Sequence, residues 1–253
     1  MKLEDSSLSK KIFYDSWQNN FFKFSVIFFV FICLFAFIYP EISAIKAEKM
    51  NIKSKFLPPI FFEGFSWTHI LGTDQLGRDM LMRCLVGLRF SLIIGFASVF
   101  IMLLFGCLVG IISGFKSSWV DVIIMRITDA QLSIPMVILA ISILGVSRPN
   151  LASIILVLAL SGWPLYARVS RSMALIERDK EYVRGARILG ANDFRIIFFL
   201  VIPIILPPIA FVSVLDIARM MIFEAILGFL GLGVQPPTPT FGNIIADARK
   251  YLI

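Results

Sequence analysis

Long uncharged runs alternate with short charged segments along this chain. Phe24–Tyr39 is sixteen residues without a charge, and Phe90–Ile112 is twenty-three. Leu132–Val146 and Leu151–Ala167 follow, divided by Ser147, Arg148, Pro149 and Asn150. Ile196–Leu215 adds twenty more uncharged residues, and Met220–Val234 is apolar except for Glu224. At a rise of about 1.5 Å per residue, a twenty-residue helix spans about 30 Å of hydrocarbon. The pattern predicts five membrane helices, with Ser147–Asn150 as a tight turn between antiparallel spans. The 220–234 stretch is either the far end of the fifth span or a short re-entrant element. Lipid offers no water to backbone groups, so each span must satisfy its own, and a polytopic all-α bundle follows. Strand-like alternation is absent, which argues against a β-barrel.

Composition points the same way. Of 253 residues, 58% are hydrophobic and only 16% charged, and Phe alone occurs 25 times. A soluble domain carries about a quarter charged residues. The net charge is +7, but the basic residues lie between apolar blocks, as in the cytoplasmic loops of a membrane protein. Aromatic and basic residues do not interleave as they do in single-strand-binding proteins, so nucleic acid is not an expected partner. Lys2, Lys10, Lys11 and Lys23 precede the first run. Residues 1–23 therefore read as a cytoplasmic segment and 24–39 as the first span. A cleaved signal peptide is the alternative; the length of the run and the spans that follow argue against it. Residues 40–89 then form an extracytoplasmic loop, and 168–195 lies inside. That inner loop holds seven Lys/Arg: Arg168, Arg171, Arg178, Lys180, Arg184, Arg187 and Arg195. The 40–89 segment also holds seven, over a longer stretch, so positive-inside favours this orientation mildly.

Catalytic and metal chemistry find little purchase. Cys33, Cys84 and Cys107 stand far apart, in neither a metal spacing nor a disulfide framework. His69 is the sole histidine, so zinc and triad chemistry have no partners. An intramembrane enzyme needs a nucleophile and base at helical spacing, which the scattered acids do not supply. Asp129, Asp216, Arg219 and Glu224 lie near or within apolar runs, where charge is costly. Asp216 and Arg219 are spaced i,i+3 and are expected to pair on one helix face. The "LGTDQLGRD" stretch (71–79) lacks P-loop spacing and reads as a turn. Gly114-Phe115-Lys116-Ser117 lacks the GxxxxGK[ST] signature, so ATP chemistry is not expected in this chain.

One basic stretch stands out: "YVRGARILGANDFRIIFFLVIP", Tyr182–Pro203. Glu181–Leu189 reads as a short helix, ended by Gly190 at a position that favours positive φ. Asn192 or Asp193 is placed to cap the next helix, which becomes a span. Gly185 and Ala186 leave one helical surface nearly bare, flanked by Arg184 and Arg187. An amphipathic helix resting on anionic headgroups is one reading; a helix fitting a protein groove is the other, and the small-residue face suits it better. Pro203 sits one turn into the span, while Pro207 and Pro208 are expected to kink or break it.

At these residues the chain resembles the permease subunits of ABC importers for dipeptides and oligopeptides. Their cytoplasmic loop has the form E-A-A-x3-G-x9-I-x-L-P. Gly190, nine residues and then Leu200, Val201, Ile202 and Pro203 match its second half. Arg184, Gly185 and Ala186 stand where E-A-A would be, and the first two depart from it. Glu181, Tyr182 and Val183 supply the E-Y-V of the peptide-permease version. "LGTDQLGRDMLMRCLVGLRFSL" (71–92), "GWPLYARVSR" (162–171) and "FLGLGVQPPTPTFGNIIADARKYL" (229–252) are also similar to family segments. The resemblance covers roughly residues 70–252 in order.

The resemblance implies a type I importer transmembrane domain, with 90–253 as permease core and a coupling loop at 168–195. Such permeases carry a sixth span, which would follow "ARKYL"; a chain ending at Ile253 is expected to lack it, leaving its C-terminus outside. The implied partners are a second homologous permease, cytoplasmic ATPases, an extracytoplasmic substrate-binding protein and the lipid of a bacterial inner membrane. Glu181, Tyr182, Val183, Arg184, Gly185, Ala186, Arg187, Leu189, Gly190 and Ala191 would dock the ATPase. Leu200, Ile202 and Pro203 would begin the coupled span. No cofactor is expected on this chain; ATP and Mg belong to the ATPase. The chain would not itself be an enzyme. It would couple ATPase closure to alternating access for peptides. The competing readings are a truncated, non-transporting remnant and an ATP-independent channel or secondary transporter; the latter would show internal repeats.

Overall fold

The computed structural model describes residues 17–116, 119–146, 149–249 and 251. Regular elements among the described residues are helices, without strands. Two compact units divide the chain, Met1–Arg89 and Phe90–Ile253.

In the first unit, α1 (Asn20–Ile42) contains the expected Phe24–Tyr39 run and extends it at both ends. The Asn19 side chain starts it by accepting from the Phe21 N–H at 2.9 Å. Its 23 residues give about 35 Å, enough to cross hydrocarbon. Most of the expected 1–23 cytoplasmic segment, residues 1–16, lies outside the described residues.

Residues 71–79 form the expected turn, organised around a buried carboxylate. Asp74 accepts from the N–H groups of Leu76 at 2.8 Å and Arg78 at 2.9 Å. It also accepts from Arg78 Nε at 2.7 Å and from Arg83 Nη1. Burial pushes this carboxyl up, but the Arg78 N–H and guanidinium and the Leu76 N–H outweigh it and hold it below the usual range. Gly77 (φ +70) has no room for a side chain, because a Cβ would lie 1.8 Å from the Asn51 carbonyl oxygen. Asp79 Oδ1 accepts from the Met82 N–H at 2.8 Å and caps the next helix, while its Oδ2 meets His69 Nδ1 at 2.8 Å. The lone histidine thus has a structural partner.

The second unit is a helical bundle. Its elements are the long α2 (Met80–Lys116), which begins in the first unit, then α3 (Trp119–Leu132), α4 (Met136–Leu144), α5 (Leu151–Arg178) and α6 (Glu181–Ile188). A 37-residue α7 (Asp193–Phe229) and a short α8 (Phe241–Arg249) complete it. Among the described residues, four helices are long and apolar enough to cross a membrane, or five if α3 and α4, bent by 84°, form one span. The bend falls at Ser133–Pro135, where Pro135 restricts the residue before it.

Here the fold departs from the expected Leu132–Val146 span. The segment begins earlier, at Trp119, and breaks. The charges of α3 hid it in the sequence, and they are paired in space. Asp121 accepts from Arg171 Nε at 2.5 Å and Nη2 at 2.7 Å, and from Ser113. Asp129 meets Arg168 at 2.5 Å. Of the expected Ser147–Asn150 turn, Ser147 and Arg148 lie outside the described residues. Asn150 caps α5 reciprocally with Ser153.

A glycine seam joins α2 to α5. Gly106, Gly110 and Gly114 are spaced i,i+4 on one face of α2. A Cβ there would lie 2.6 Å from the Trp163, 2.2 Å from the Ala167 and 2.6 Å from the Arg171 carbonyl oxygen, respectively. Backbones that approach this closely are a membrane packing mode built on small residues. Ile94, Met102, Leu144, Leu158, Ile205 and Leu227 fill the surrounding core.

In α7 the 220–234 question resolves toward the first option, since the helix runs unbroken to Phe229. Pro207 and Pro208 lie inside it without ending it, so of the expected kink or break the break does not occur. The irregularity falls earlier, in a π-helical turn at Ile197–Val201. Pro203 crowds the carbonyl four residues before it, at Phe199, and the wider turn accommodates that clash. Asp216 and Arg219 pair at 2.9 Å as the spacing predicts. Glu224 is wholly buried and accepts from Ser91 Oγ at 3.0 Å.

Candidate functional site

The basic loop folds as its sequence suggests, and its geometry is well determined by local chemistry. Lys180 precedes α6, and Val183 is its anchor, at 0% exposure in the main core. The helix ends in a Schellman motif: the Ala191 N–H donates to the Ala186 carbonyl at 3.0 Å and the Gly190 N–H to Arg187 at 3.0 Å. Gly190 adopts φ +83, as expected of its position. One residue later the Asn192 side chain accepts from the Arg195 N–H at 2.9 Å and starts α7. Two residues, Gly190 and Ala191, thus separate a finished helix end from the cap of a 37-residue apolar helix. The loop is a short rigid corner.

Polar contacts hold this corner to the bundle. Glu177 at the end of α5 accepts from Lys180 Nζ at 2.7 Å and from the Tyr182 hydroxyl at 2.6 Å. Burial and the Glu177 carboxylate push the Tyr182 phenol up, so it stays a donor at neutral pH. The Arg187 guanidinium lies 5.1 Å over the Phe115 ring and 3.5 Å from Asp193. Arg178 Nη1 donates to the Gly114 carbonyl at 3.3 Å.

The other face is open. A Cβ added at Gly185 or Gly190 would meet nothing within 4 Å. Ile188 and Leu189 are 86% and 89% exposed, a large apolar surface at the tip of a basic loop. Ala186, Leu189, Ala191 and Leu200 line a groove of about 460 Å³ with Arg195 and Phe199. Four of the sequence-predicted residues therefore meet in one place, and Leu200 brings the coupled span into it. Glu181 and Arg184 are exposed outside the groove, Ile202 is half-buried, and Pro203 is exposed on α7.

Sequence reasoning missed Glu177, Phe115 and Ile188. Ile188 was legible as an apolar residue at the end of a basic helix. Glu177 and Phe115 belong to other helices, and nothing in their local sequence points to the loop. Groups of His, Cys, Asp or Glu able to hold a metal are absent among the described residues.

Comparison with known proteins places this geometry. Residues 106–249 match the family described as binding-protein-dependent transport system inner membrane component. The chain is 33% identical over 235 residues to the dipeptide transport system permease protein DppC of Haemophilus influenzae, covering 93% of this chain and 80% of the relative. It is 34% identical over 243 residues to the di/tripeptide transport system permease protein DppC of Pseudomonas aeruginosa, covering 96% and 80%. In fold it is similar to a chain of the inward-facing MetNI methionine ABC transporter, with a TM-score of 0.56 and 19% identity over 68% of this chain and 88% of that one. The family match spans more than half of the chain and the relatives nearly all of it, so the chain belongs to the inner membrane components of binding-protein-dependent transport systems and is a permease subunit of an ABC importer.

Proposed function

We propose that this permease forms one half of a peptide-importing membrane domain, with a second homologous permease as the other half. The substrate class rests on the names of its relatives, which are dipeptide and di/tripeptide permeases. In this reading an extracytoplasmic binding protein delivers the peptide, and residues 40–89 lie on that side of a bacterial inner membrane. Residues 168–195 lie on the cytoplasmic side, where an ATPase binds ATP and Mg. The docking surface is α6 with Gly190 and Ala191. The observation that carries this is the two-sided character of α6: Val183 is buried while Ile188 and Leu189 stand exposed beside an open glycine face.

Coupling follows from the corner. A push on α6 has no flexible linker to dissipate it before α7. ATP binding would then shift the balance between inward- and outward-open states by favouring the closed ATPase pair. Arg187→Glu places a second acid beside Asp193 and removes the cation over Phe115. Gly190→Pro removes the N–H that donates to Arg187 and forbids positive φ. Both variants are expected to insert into the membrane but to lose ATPase co-purification and peptide uptake. Wild-type levels of both would sink the docking role. Uptake that persists without the ATPase would sink the ATP-driven reading.

A further inference from the structure

A second groove, of about 330 Å³, runs between α2 and α7, within the size range of small-ligand sites. Leu104, Leu108 and Ile111 form one wall, and Phe198, Ile202 and Ile205 the other. Both rows follow helical spacing and run on toward the basic loop. On α2 the row reaches Phe115, whose ring is covered by Arg187. On α7 it begins one turn after the exposed Arg195, and exposed Lys116 ends α2. Arg187 is shared with Asp193. Arg195 and Lys116 have no ion-pair partner among the described residues. The groove is carbon-lined along its length, and exposed Arg195 and Lys116 lie on its two helices beyond the rows that point toward the basic loop.

We propose that this groove holds one acyl chain of an anionic phospholipid, whose headgroup lies against Arg195 and Lys116. A transmembrane helix of another subunit would also suit the carbon lining. Such a helix covers the carbon lining but leaves Arg195 and Lys116 to a separate partner. A phospholipid supplies both parts in one molecule, and basic pockets between membrane helices are a known setting for acidic headgroups. The π-helical turn at Ile197–Val201 contributes Phe198 to the wall, so the irregular backbone before Pro203 shapes the site.

Native mass spectrometry of the purified importer, given equal phosphatidylglycerol and phosphatidylethanolamine, tests the assignment. Phosphatidylglycerol is expected to stay on the wild-type protein in preference, one molecule per copy of this chain. Leu108→Trp fills the groove from a wall position that is 42% exposed, and it is expected to shed that lipid. Arg195→Gln leaves the core untouched, and because Arg195 also borders the loop groove, the readout is lipid preference and not ATPase retention. It is expected to cut the preference about fivefold, the effect of one basic residue near an anionic lipid surface. Should Leu108→Trp fail to assemble, the Arg195→Gln comparison decides alone. Equal retention of both lipids by the wild type, or a preference unmoved by Arg195→Gln, overturns the proposal. A photo-crosslink from position 108 to a partner subunit's helix overturns it too, and gives the groove to a protein interface.

Discussion

Glycine acts in opposite ways in two regions of this permease. In α2, Gly106, Gly110 and Gly114 are needed because the α5 backbone occupies the space their side chains would take. In the basic loop, Gly185 and Gly190 face nothing. Gly190 is explained by its positive φ; Gly185 has no such need, and in a helix it costs about 1 kcal/mol relative to Ala. The first region is an interface that the chain completes with its own backbone. The second has the same bareness and faces no other backbone among the described residues. This contrast, more than the basic charge, is why we propose α6 as the docking surface.

The contrast can be broken most sharply at the seam. Gly110→Leu would set a Cβ 2.2 Å from the Ala167 carbonyl and 2.1 Å from Ser170 Oγ. The two backbones would have to separate, so a loss of about 3 kcal/mol or more is expected. Thermal unfolding in detergent, followed by size-exclusion fluorescence, reads it; an unchanged midpoint would mean the seam is loose. Gly185→Leu is the matched change on the open face. It adds a strong helix former with no clash, so the midpoint should hold or rise slightly. ATPase retention should instead fall about tenfold, as when an interface loses about 1.4 kcal/mol. Should ATPase binding survive a leucine at 185, the bare face is not the docking face.

How much of this was legible beforehand varied with the physics involved. Lipid fixes the length and apolarity of a span locally, so Phe24–Tyr39 and Phe90–Ile112 fell inside α1 and α2. The loop helix and its ends were equally readable, because caps and positive φ are short-range choices of Asn192 and Gly190. By contrast, α3 was not readable as apolar. Asp121 and Asp129 belong in it only because Arg171 and Arg168 face them from α5. The prolines left kink and break open for a related reason. Pro207 and Pro208 each remove a local hydrogen bond, but Ile205 and Ile209 on either side are buried in the core, and that packing keeps the helix continuous. Glu177 and Phe115 escaped notice because their partners lie on the loop, reached only through the tertiary fold.

The smallest expected effect concerns the tie between the two regions. Tyr182 lies on the loop, and its hydroxyl donates to Glu177 on α5, the helix that forms the glycine seam. Tyr182→Phe keeps the ring and its packing and removes only that hydrogen bond, worth about 1 kcal/mol. Lys180 still satisfies the other Glu177 oxygen at 2.7 Å, so global stability should barely move. Local opening of α6 should become easier, because the corner loses one of its polar ties to α5. Amide hydrogen exchange is the suitable readout. It should quicken by about fivefold across 181–189 and stay constant across the seam at 106–114. Equal acceleration in both places would mean that loop and seam open as one unit, and the distinction between a finished and an unfinished interface would have to be redrawn.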